Sequence, residues 1–254
     1  MSNNDLILVR QLLEQRRQEL APDLSEAEYF QLFASEQALK DHDLSYDEIN
    51  QGVVDGGGDG GIDGVFLFVN GTLTAEPVDP TEVKRGVSLE LVFIQAKTSP
   101  GFSEAAVDKF VSSTRDLLDL NNSIEDLASV YRADLLSKIS DFRETYLALA
   151  SKFPKLSVHY CYAALGTEVH PNVERKVAPL KELVESQFSP VKFDFEFLTA
   201  SRLLELARMS PSTAHQLRLA ESPIATGDQG YLCLVGLRDY CAFVTEDDGA
   251  LKER

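Results

Sequence analysis

No apolar run in the chain approaches the roughly 20 residues needed to span a bilayer, so no membrane segment is expected. The N-terminus, Met1-Ser2-Asn3-Asn4-Asp5, lacks the basic and then apolar regions of a secretory signal. Cysteine is scarce. Cys161, Cys233 and Cys241 are odd in number and widely spaced, which excludes a disulfide framework and a zinc site and leaves reduced core thiols as the expectation. A cytoplasmic protein follows from these absences. Basic residues are also short: 24 Lys and Arg stand against 41 Asp and Glu, a net charge of −17. A nucleic-acid partner would therefore have to meet a local basic patch, or one supplied by another chain.

The 254 residues are enough for one large domain or two small ones with a sizeable core. Apolar residues make up 44% and charged residues 26%, a globular balance. Helical spacing of Leu6, Val9, Leu12, Leu13 and Leu20 predicts a first helix over 5–20, broken at Ala21-Pro22. Ser25 and Glu28 form a capping box that opens a second helix with the stripe Tyr29, Phe30, Phe33 and Ala34. On the helical wheel Glu36 falls near Tyr29 and is expected to turn toward the core, where a carboxylate is costly unless paired or metal-bound. An edge position reaching solvent is the alternative. His42 is expected to be a solvated loop residue.

The stretch with a chemical signature runs from Asp55 to Lys97. Five glycines between Gly56 and Gly61 allow backbone conformations closed to other residues. No helix or lysine follows them, so this is not a phosphate-cradling loop; a mobile tight loop is expected. Asp55, Asp59 and Asp63 recur every four residues but fit no calcium loop. Ile62 to Val69 reads as a strand and Asn70-Gly71 as a hairpin turn. Leu89 to Lys97 reads as a strand buried on both faces, with Gln95 and Lys97 projecting on one side at its end. Asp63 is the natural counterpart of Lys97 if the two strands are neighbours. A purely structural Asp63–Lys97 pair is the plainer reading.

Beyond this, helices are expected from Ser103 to about Leu120, from Ala133 to Phe153, over 173–188 and over 201–209. Strands are expected at 156–165, with His159 as a satisfied core or face histidine rather than a ligand, and at 193–198. The order implies an α/β fold with a central mixed β-sheet flanked by helices. After Pro211, strands are expected at 217–220, 231–237 and 240–245, with turns at Gly227-Asp228 and Asp247-Asp248-Gly249. The division expected is a domain over 1–210 and the start of a β-rich second region over 211–254, with the natural chain continuing beyond it.

Glu36, Asp63, Gln95 and Lys97 together suit a hard cation such as Mg²⁺ or Mn²⁺ and phosphodiester hydrolysis, with the lysine orienting water and neutralising phosphate charge. The pattern Gly-Gly-Ile-Asp63-Gly, an apolar strand, then Phe-Ile-Gln95-Ala-Lys97 resembles the PD-(D/E)xK nuclease superfamily in its Gln variant. The order of helix, glycine loop, Asn-Gly hairpin, Ile-Gln-Ala-Lys and Ser-capped helix resembles the N-terminal part of the abortive-infection phage-resistance family called AIPR. The likeness extends through Tyr231 to Thr245. It implies a restriction-endonuclease-like core and an antiphage nuclease. Asp63 would be the metal-binding aspartate, Gln95 the acidic position changed to an amide, and Lys97 the catalytic lysine. Glu36 would be the helix glutamate, with Glu28 as the alternative. The metal set implied is Asp63, Glu36 and Gln95. The partners expected are a DNA or RNA substrate and either a second copy of the chain or a regulatory protein. Two other readings compete: a non-catalytic nuclease-like fold that binds nucleic acid or a partner, and an acidic interaction protein.

Overall fold

The computed structural model describes residues 3–54, 56–74, 76–81, 83, 85–209, 217–225 and 231–245. Two compact units divide the chain, Met1–Met209 and Ser210–Arg254.

In the first unit the order is α1 (Asn3–Leu20), α2 (Glu26–Ala38), α3 (Tyr46–Gly52), β1 (Gly64–Val69), β2 (Thr72–Thr74), β3 (Ser88–Lys97), α4 (Glu104–Leu117), α5 (Ile124–Leu127), α6 (Ala133–Ala148), β4 (Lys155–Ala164), α7 (Pro171–Glu174), α8 (Val177–Gln187), β5 (Val191–Leu198) and α9 (Ala200–Arg208). The strands form one mixed sheet in the order β2-β1-β3-β4-β5. β1 runs antiparallel to β2 and β3, and β3, β4 and β5 are parallel. The α/β class and the mixed, helix-flanked sheet expected from the element order are present.

Local chemistry explains the boundaries. Ser25 and Ser45 each accept from the third amide of their helix while Glu28 and Glu48 reach back, two complete capping boxes. Ser103 caps α4 by accepting from Ala106 N. The β1–β2 turn uses Asn70 at φ 52° and Gly71 at φ 78°, the two positive values a primed hairpin turn requires.

Both sheet faces are covered. One core joins Val65, Leu67, Leu89, Leu91 and Phe93 to Phe110, Leu117, Leu135 and Phe142 of α4 and α6. The other joins Phe66, Phe68, Val92 and Ile94 to Val9, Phe30, Phe33 and Leu203 of α1, α2 and α9. A strand covered on both sides has no polar period, which is why β3 reads as a nearly continuous apolar run.

His42 departs from expectation. Its ring stacks on Phe68 at 3.7 Å, and Nε2 lies 3.5 Å from Glu90 Oε1, so it is packed rather than solvated. His159 meets Glu90 and Asp194 at 3.7 and 3.6 Å, as a satisfied face histidine should. Cys161 is buried, whereas Cys233 and Cys241 are exposed rather than core thiols.

The second unit contains β6 (Ile224–Ala225) paired with β7 (Tyr231–Leu232) and α10 (Leu237–Val244). The strand expected at 240–245 is helical up to Val244. The strand expected at 231–237 is confined to β7, and residues 217–220 form no strand. Leu-Arg-Asp-Tyr-Cys-Ala-Phe-Val carries apolar residues at both periods, and a run this short does not separate helix from strand. The turns expected at Gly227-Asp228 and Asp247-Asp248-Gly249, like Asp55, lie outside the described residues.

Candidate active site

The site is built where β1 begins and β3 ends. The register pairs Gly64 with Ile94, which puts Asp63 opposite Gln95, and Asp63 N donates to Ile94 O at 2.7 Å. Adjacent antiparallel strands thus bring together residues more than thirty positions apart. The Asp63 carboxylate is 2% exposed. Its Oδ2 accepts from Ala96 N at 2.7 Å and from Lys97 Nζ at 3.4 Å, and its Oδ1 accepts from Gln31 Nε2 at 3.4 Å. Burial pushes its pKa above the ordinary value of 3.8, opposed by the Lys97 charge and the Ala96 amide. The nearby Asp59 charge adds to the rise.

Gln95 is also buried, and its Oε1 has no hydrogen-bond partner. Lys97 is 42% exposed on its side chain. Gln95 and Lys97 line an open cleft of about 660 Å³ together with Ser99, Ser103, Phe102 and Lys109.

The glycine loop is fastened down rather than loose. Asp59 Oδ1 accepts from Gly61 N at 2.6 Å, Ser113 Oγ donates to Gly60 O at 2.6 Å, and Arg132 N donates to Gly58 O at 3.0 Å. Val54 N then donates to Asp63 O at 2.9 Å. Gly60 and Gly61 have φ of 63° and 81°, values other residues rarely adopt. The loop therefore sets the position of Asp63 from both sides.

Glu36 is not brought to this site. It pairs with Arg16 of α1 at 3.0 Å and lies 3.9 Å from Lys40. The wheel argument correctly put Glu36 beside Tyr29, but that face of α2 meets α1, not the sheet end. Gln31 is the α2 side chain that reaches Asp63, and it lies about 140° around the helix from Glu36. Glu28 stays in its capping box, accepting from Ser25 N at 2.7 Å.

The sequence reading passed over Gln31 and Lys109. Gln31 shares with Ser35 the spacing of four that marks one helix face, a signal overlooked in favour of carboxylates. Lys109 lies on the turn after Ala105 and Ala106, facing the cleft.

A hard cation needs oxygen donors. Asp63 offers one carboxylate, whose two oxygens already accept hydrogen bonds, and Gln95 one unpartnered amide oxygen; both are donors of the type that Mg²⁺ or Mn²⁺ takes. Among the described residues, no group of three or more His, Cys, Asp or Glu side chains is arranged to hold a metal ion. No family model, curated protein or solved structure matches the chain.

Proposed function

We propose that the chain is a metal-dependent nuclease that hydrolyses phosphodiester bonds in DNA or RNA, working in antiphage defence of the abortive-infection kind. The observation that carries the reading is the convergence of Asp63, Gln95 and Lys97 at one end of neighbouring strands, with Gln95 and Lys97 lining an open cleft. Asp63 and Lys97 meet at 3.4 Å across neighbouring strands, beside a buried amide oxygen that has no partner. The resemblance of these residues to the PD-(D/E)xK pattern supplies the reaction class, and the order of elements supplies the AIPR-like role.

Asp63 and Gln95 Oε1 would hold Mg²⁺ or Mn²⁺, which when bound polarises a phosphate and lowers the pKa of a water molecule. Asp63 is suited to that task because burial makes its charge costly until a cation offsets it. Lys97 keeps its ammonium partly in solvent, where it can donate to a phosphate oxygen and offset the charge that builds up on it. Gln95 is held by burial, and its amide oxygen is occupied by no protein donor. Ala96 N and Gln31 hold the Asp63 carboxylate in one orientation.

The test is incubation with single- and double-stranded DNA and RNA, in Mg²⁺ or in EDTA. Cleavage is expected in Mg²⁺ only, and should fall by about 10²–10³-fold in Asp63→Asn and in Lys97→Ala. Cleavage surviving both substitutions would place the chemistry elsewhere.

One observation favours a second reading. With Glu36 engaged by Arg16, Asp63 is the one carboxylate described in contact with Lys97. A non-catalytic nuclease-like module would need no more. It would bind nucleic acid without cleaving it, and Mg²⁺ would leave its melting temperature unchanged.

A further inference from the structure

We propose that Lys109 and the start of α4 form a second phosphate-binding position beside Asp63 and Lys97, so that the site takes a polynucleotide strand across at least two phosphates. The inference rests on the nuclease reading for the chemistry and adds the substrate's path.

Phe102, Ala105, Ala106 and Lys109 recur at intervals of three, four and seven and line the cleft with Gln95 and Lys97. The two alanines keep that helix face low, and Lys109 stands exposed at its far end. The acidic neighbours of Lys109 on α4 are turned elsewhere. Asp108 pairs with Lys176 at 3.0 Å, and Glu104 lies 3.7 Å from Arg175 and 3.9 Å from Lys176. Among the described residues Lys109 itself makes no ion pair or hydrogen bond. In a chain of net charge −17, this cleft is lined by Lys97, paired with Asp63, and by Lys109, with no acidic side chain among its lining residues.

Packing shows the arrangement is built. The aliphatic stem of Lys109 lies against Gly61, where an added Cβ would come within 3.0 Å of Lys109 Cβ and Cδ and of Gln95 Nε2. A side chain at Gly61 would push Lys109 and Gln95 apart. The start of α4 adds the positive end of a 14-residue helix to the same wall. Gln95, which lines this cleft, is 1% exposed and has a buried amide oxygen without a hydrogen-bond partner, an independent sign that the site is incomplete without a ligand.

The experiment compares the full chain with Lys109→Gln and Lys109→Arg. Binding of a labelled 20-nucleotide single strand, as DNA and as RNA, is measured by anisotropy in EDTA from 50 to 200 mM NaCl, and cleavage kinetics are measured in Mg²⁺. Lys109→Gln should weaken binding about tenfold, reduce the salt slope by about one, and raise KM with kcat within about threefold. Lys109→Arg should restore most of the affinity. Cleavage by all three proteins with equal KM and equal slope overturns the second phosphate position and leaves the nuclease reading intact. Lys109-dependent binding without cleavage does the reverse. A wild-type chain that neither binds nor cleaves overturns both.

Discussion

At the scale of single residues, Asp63 sets function against stability. Burial raises its folded pKa above the unfolded value. Its contribution to stability is therefore present below the unfolded pKa near 3.8 and is lost as pH rises through the folded pKa. At neutral pH the ionised form is a cost that a bound cation would remove. Asp63→Asn should raise stability at pH 7 by about 1 kcal/mol, roughly 2–4 °C in Tm for a domain of this size, while cleavage is lost. The gain should shrink as pH falls toward 4, which thermal melts at several pH values would read. Mg²⁺ should raise the Tm of the wild-type chain and leave Asp63→Asn unmoved. Glu36 makes the opposite case. Its pair with Arg16 is partly exposed on both sides, 28% and 29%. Glu36→Ala should cost no more than about 1 kcal/mol and leave kcat and metal response unchanged. A loss of cleavage comparable to that of Asp63→Asn would return Glu36 to the site.

At the scale of elements, the glycine loop is the piece on which the site depends. It carries the chain from α3 into β1 and is tied to α4 through Ser113 and to the start of α6 through Arg132. A Cβ at Gly60 would strike Ser113 Oγ and come within 2.7 Å of Tyr131 Cε1, at a φ of 63°. Steric overlap and left-handed backbone add together, so Gly60→Ala should destabilise by about 2–4 kcal/mol in urea unfolding. Activity per folded molecule should fall as well, because Asp63 lies only three residues further on. A variant with wild-type stability would show that the loop has room to shift.

At the scale of the whole molecule, charge decides how the protein answers to salt. A net charge of −17 destabilises the compact state through self-repulsion. Raising ionic strength from about 0.01 to 0.15 M shortens the Debye length from about 30 to 8 Å. Tm should therefore rise over that range, while nucleic-acid binding at the two-lysine cleft should weaken. Opposite slopes for stability and binding in one buffer series would separate the global charge from the local patch. A Tm that fell with salt would show that the ion pairs outweigh the repulsion.

What the residues determined by themselves was local. Ser25, Ser45 and Ser103 start helices because a hydroxyl next to a free amide is a short-range matter, and Asn70-Gly71 turns because its two positive φ values need no tertiary support. The strand that begins after Asp63 and the strand that ends in Gln95-Ala-Lys97 were legible for the same reason, since burial is written in the apolar pattern, whereas their pairing was not. The tertiary structure decided which helix face met which neighbour. Tyr29 and Glu36 share a face of α2, and only packing reveals that this face lies on α1 while Gln31 reaches Asp63. It also decided that the glycines form a fastened loop, because the partners of Gly58 and Gly60 lie more than fifty residues downstream. Contacts between distant segments depend on how elements pack, and no local spacing records them.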